Sequence, residues 1–128
     1  MTPAIIIVLI FLAITFIQSG YDKVVDWKGN VEWLKGHFSQ TILRNQVPQA
    51  LLLILVLEIL SGAFSVIGII EILMKDEGVQ KDFPFFAAAL SSVTLLLLLL
   101  GQRLAKDYDG ARTIVIYFVP TVLLLSWL

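Results

Sequence analysis

One carboxylate, Glu58, stands inside the run Leu51-Leu-Leu-Ile-Leu-Val-Leu-Glu-Ile-Leu60. An ionised side chain midway along an apolar, membrane-length helix costs about 2.5–3.5 kcal/mol on insertion scales, so such a residue normally has a partner or a task. Three roles suit it. It can be a structural carboxyl, hydrogen-bonded or protonated; part of a pocket for a quinone or another small ligand; or a station for proton or ion translocation. Translocation has the least support, because no second mid-membrane ionisable group continues a relay.

The neighbours of Glu58 sharpen its placement. At 100° per residue, Glu58, Ser61, Gly62, Ser65 and Gly68 share about a third of a helix's circumference. Small residues on one stripe let a neighbouring helix approach closely, which predicts that Glu58 faces the inside of a bundle. On the first apolar segment Thr15, Ser19, Asp22 and Asp26 follow at helical spacings, with Gln18 beside them and Lys23 the adjacent cation. Arg103 and Lys106, near Asp107 and Asp109, either close the same end of the bundle with ion pairs or form a solvated charged rim. Gln18, Ser91 and Ser92 read as interhelical hydrogen-bonding residues.

Other chemistries are excluded by what the chain lacks. With no cysteine, disulfides, thiol relays, iron–sulfur ligation and thiolate metal sites are all ruled out. The single histidine, His37, cannot supply both axial ligands of a bis-histidine haem and reads as an interfacial or capping residue. Nine Lys and Arg against ten Asp and Glu give a net charge of −1, with no basic field to attract nucleic acid. No metal or resident cofactor is expected, although a quinone would fit the ligand reading of Glu58.

The elements that position these residues follow from hydropathy. A hydrophobic content of 59% and a mean hydropathy of +0.93 place the chain in a membrane. Its apolar stretches are Pro3 to Ser19, Val47 to Met74, Phe83 to Leu104 and Thr113 to Leu128. At 1.5 Å per residue, the second and third can cross a hydrocarbon core about 30 Å thick, the first needs to continue past Gly20, and the last is marginal. The expected fold is all-α, a single domain over residues 1–128: an integral membrane four-helix bundle with a short amphipathic helix between the first and second spans. The first stretch lacks a basic flank and a small-residue cleavage site, so it reads as a retained helix, not a signal peptide.

Between the first two spans, Gly29 and Asn30 suggest a turn with Asn30 as N-cap. Val31, Leu34, Phe38 and Ile42 then recur at helical spacing, with Trp27, Trp33, Lys28, Lys35 and Arg44 nearby. That pattern fits a helix lying in the membrane interface or one capping the bundle. Lys75 to Asp82 reads as a polar turn, with Asp82 and Pro84 opening the third span. This span is expected to continue through Gln102–Asp107 and to stop at Gly110. Pro120 is expected to kink the fourth, and Trp127 to mark an interface. Basic residues concentrate in the first and third connections, which by the positive-inside rule puts those on the cytoplasmic side and both termini outside.

The run Gln18-Ser-Gly-Tyr-Asp-Lys23 resembles the G-x-x-K signature ending the first helix of DoxX-like membrane proteins. Leu57-Glu-Ile-Leu-Ser-Gly62 with Gly68 is similar to their second-helix pattern. Trp33-Leu-Lys-Gly-His-Phe38 and Gly101-Gln-Arg-Leu-Ala-Lys-Asp-Tyr-Asp-Gly110 look like segments of a Bacteroidetes-type branch. The resemblance covers nearly the whole chain. It implies a four-helix protein of the bacterial inner membrane, in a family named after a subunit of a thiosulfate:quinone oxidoreductase, and it singles out Gly20, Lys23, Glu58 and Gly62. The thiol chemistry of some relatives does not carry over to a chain without cysteine. The expected function is a non-catalytic subunit or accessory protein, contacting lipid and other membrane subunits of an assembly connected to quinone or respiratory chemistry. The alternative is a stand-alone binder of a quinone-like molecule, or a proton- or ion-coupled transporter, using Glu58 with Lys23 or Arg103.

Overall fold

A computed structural model describes residues 2–74 and 82–128. The polar turn expected from Lys75 lies outside the described residues up to Lys81; Asp82 is the first residue of the following helix, and Pro84 sits in its first turn. Among the described residues there are five helices: α1 (Thr2–Val25), α2 (Trp27–His37), α3 (Val47–Met74), α4 (Asp82–Leu104) and α5 (Tyr108–Trp127). All but α2 are long and apolar enough to cross a membrane.

Length explains the division of labour. The 24 residues of α1 and 23 of α4 span about 35 Å, whereas the 28 of α3 span about 42 Å and overshoot the hydrocarbon. The marginal fourth stretch becomes sufficient because α5 begins at Tyr108 and has 20 residues. Helix α3 packs against both α1 and α4, α4 packs on α5, and α1 touches α5 more lightly. Phe11 and Tyr117 bridge that last seam edge to face, with ring centroids 5.8 Å apart.

The core is built from a stripe on α1 (Ile5, Leu9, Leu12 and Phe16) meeting Ala87, Ala88 and Leu95 of α4 and Leu124 of α5. Steps of three and four keep this stripe on one side of α1. The opposite face, through Ile7, Ile10, Ile14 and Ile17, is exposed. In a bilayer such a face meets lipid tails and needs no protein cover.

Two boundaries differ from expectation, each for a local reason. Helix α2 is capped by Asp26, whose carboxylate accepts from Gly29 N–H at 3.2 Å; Asn30 instead donates from its side chain to Asp26 O at 2.7 Å. The third span stops at Leu104, before Gly110, because Lys106 turns left-handed at φ 59° and Asp107 starts a new helix by accepting from Gly110 N–H at 3.0 Å. Gly110 thus lies in the first turn of α5. Pro120 stands within α5, which runs through it to Trp127.

Candidate functional site

Glu58 is buried, with 1% of its surface exposed, and Ser61, Gly62, Ser65 and Gly68 are buried along the same face of α3. Glycine makes this closeness possible. A Cβ on Gly62 would stand 2.6 Å from Ile17 Cγ1, and one on Gly20 3.3 Å from Ile59 Cγ1. These two contacts also define an antiparallel register between α1 and α3. On the other side, a Cβ on Gly68 would meet Pro84 N at 3.1 Å and Cα at 3.3 Å, so α3 and α4 approach backbone to backbone there.

The register delivers the partner of Glu58. Lys23 Nζ lies 2.8 Å from Glu58 Oε1 and donates to Ser19 Oγ at 2.7 Å. The contact with Oε1 is an ion pair by distance and charge; its angle misses that of a directed hydrogen bond. Lys23 occupies the last turn of α1, where a cation also offsets the partial negative charge of the helix end. Its side chain is only 17% exposed. Lys23, two residues from the end of α1, thus reaches a carboxylate that stands near the middle of α3.

Why Lys23, and not its neighbours? The buried stripe of α1 continues from Phe16 at the same spacing to Ser19 and then Lys23. Gln18 and Asp22 lie one position off that line and are exposed, so they do not join Glu58, and Asp26 is spent capping α2. Arg103 is also elsewhere: its guanidinium lies over the Tyr108 ring, 5.1 Å from the centroid. Of the charged rim, Arg112 pairs with Asp109 at 2.7 Å in an exposed contact within α5.

The buried hydroxyls are mostly occupied within their own helices. Ser65 donates to Ser61 O at 2.7 Å, Ser92 to Ala88 O at 2.8 Å, Thr94 to Leu90 O at 2.7 Å and Thr121 to Tyr117 O at 2.9 Å. Ser92 is thus not the interhelical donor expected of it. Ser61 Oγ and Ser91 Oγ are buried without a partner.

A second cluster joins α2 to the α4–α5 corner. His37 Nε2 lies 2.9 Å from Gln102 Oε1 and 3.7 Å from Asp107 Oδ2, while its ring stacks on Trp33 at 4.7 Å. The Phe38 ring covers Gly101, where a Cβ would stand 3.5 Å from Cζ. His37 thus ties α2 to the α4–α5 corner. Nothing in the sequence marks Gln102 and Asp107 as its partners beyond the Asp107-to-Gly110 capping spacing.

Fold and site together define an all-α, multi-pass membrane protein with one ion pair between its spans among the described residues. No protein-family model, curated protein or solved structure matches the chain.

Proposed function

We propose that the chain is a DoxX-like, non-catalytic subunit or accessory protein of a bacterial inner-membrane assembly connected to quinone or respiratory chemistry, and that it works through contacts with other membrane proteins. The observation that carries this reading is the Lys23–Glu58 pair. Two of the residues singled out by the family resemblance neutralise one another across α1 and α3, while Gly20 and Gly62 let those helices close. Polar chemistry inside the spans is thereby spent largely on holding the bundle together. What the chain presents to its surroundings is apolar helix faces, with the first and third connections on the cytoplasmic side. Purification in a gentle detergent, followed by mass spectrometry of what remains bound, tests the proposal. A stoichiometric set of membrane subunits recovered with either terminus tagged supports it. A chain that purifies alone and stays monodisperse at native expression levels refutes it.

The buried, partnerless hydroxyls of Ser61 and Ser91 favour a second reading, a binder of a quinone-like molecule whose carbonyl oxygens accept from them. Binding of a ubiquinone or menaquinone analogue by the partner-free protein, abolished by S61A and S91A, would establish it.

A further inference from the structure

The connection between α2 and α3 holds a pocket of about 480 Å³ lined by Gln40, Thr41, Ile42, Arg44 and Asn45. Successive tight turns shape it: Thr41 N–H donates to Phe38 O at 3.1 Å, Arg44 N–H to Thr41 O at 3.3 Å, and Gln46 N–H to Leu43 O at 2.9 Å. Thr41 staples the loop, its hydroxyl donating to Phe38 O at 2.9 Å and accepting from Leu43 N–H at 3.1 Å.

Several other donors of the lining are unspent. Among the described residues, the Arg44 guanidinium has no ion-pair partner, and the backbone N–H groups of Gln40, Ile42 and Asn45 donate to no protein acceptor. The surrounding sequence carries no acid. From Trp33 to Leu57 there are Lys35, His37 and Arg44 but neither Asp nor Glu, so nothing local competes for the guanidinium.

Apolar exposure suits this pocket to a lipid surface. Ile42, in its lining, is 82% exposed, Trp33 on α2 is 64% exposed, and the chain passes from the pocket into α3, where Leu52 and Leu53 also face outward. Such residues around an unpaired arginine fit the headgroup zone, where acyl carbons and phosphates lie within one side chain of each other. A planar guanidinium flanked by amide donors matches a phosphate oxygen pair.

We propose that this pocket binds the phosphate of an anionic phospholipid, with Arg44 as the cation, Gln40 and Asn45 as amide donors, and an acyl chain alongside Ile42. The test is native mass spectrometry of the full chain, released from micelles containing equal phosphatidylglycerol and phosphatidylcholine. The first lipid retained is expected to be phosphatidylglycerol by about fivefold, the equivalent of roughly 1 kcal/mol for one cation beside an anionic surface. R44Q, checked for unchanged helical content, is expected to erase the preference, and R44K to keep part of it because charge survives without the planar fork. K35Q makes the same charge change on α2 and is expected to leave the preference intact. Retained selectivity in R44Q, or equal loss in K35Q, overturns the proposal. If millimolar inorganic phosphate displaces the lipid, or binds the delipidated chain with the same Arg44 dependence, the pocket is a free-phosphate site and the lipid assignment falls.

Discussion

Removing one member of a buried ion pair leaves the other charge uncompensated, which costs more than the pair itself contributes. Either E58A or K23A is therefore expected to lower stability in detergent by about 3 kcal/mol, whereas the double replacement K23M/E58M recovers much of that loss. A double-mutant cycle by thermal or steric-trap unfolding measures the coupling, and additive losses would mean that the 2.8 Å contact carries no energy. E58Q keeps an acceptor for the Lys23 ammonium but abolishes the negative charge. Assembly is expected to survive it, and a variant that assembles yet loses its cellular role would point to proton or ion movement. At this scale the sequence was half legible. Burial of Glu58 follows from the small residues around it, and Lys23 is the cation nearest the polar stripe of α1, but Arg103 stays open as an alternative partner because the choice depends on how α1 is rotated.

That rotation is a property of the helices. The stripe Ile5, Leu9, Leu12 and Phe16 is buried, and its continuation turns Ser19 and Lys23 inward while leaving Gln18 and Asp22 exposed. The close approaches at Gly62 and Gly68 hold α1 and α4 on either side of α3, so a methyl group at either position forces neighbours apart. G62A and G68A are each expected to cost about 1–3 kcal/mol. The G68A loss should persist when Pro84 is replaced by alanine, since the tight contacts include the backbone N and Cα of that residue. Recovery in P84A would assign the clash to the proline ring instead. At the other end, H37A removes the contact with Gln102 and the stack on Trp33. Amide exchange in α2 is then expected to rise severalfold while α3 and α4 stay protected, because α2 is held by few packed contacts and opens locally. Uniform exchange changes across all helices would argue against a separable α2. The stop of α4 at Leu104 is not legible in the sequence, because the left-handed Lys106 that follows carries no compositional sign, whereas the glycine at position 110 does.

For the molecule as a whole, alternating spans put the α1–α3 and α4–α5 connections at one end of the bundle, and the His37 cluster joins them there. The basic residues of these connections predict that this end is cytoplasmic. The chain has no cysteine, so single introduced cysteines report topology without background. Cysteines at Ser39 and Tyr108 are expected to react with a membrane-impermeant maleimide only after the membrane is opened, and one at Ser126 in intact spheroplasts. The reverse pattern would invert the protein.

Membrane residence, the four spans, the interfacial or capping α2, the inward face of α3 and the exclusion of thiol chemistry all follow from the sequence by itself. Each depends on local quantities: hydropathy over a span, the 3.6-residue period, and which side chains exist at all. The partner of Glu58 was decided only by tertiary structure. That choice depends on the register between two helices whose closely packed glycines, Gly20 and Gly62, are far apart in the chain, and packing against Ile59 and Ile17 sets that register. Through it, the charge that looked central along α3 meets the last turn of α1, where a lysine stem can reach it and the helix end favours a cation.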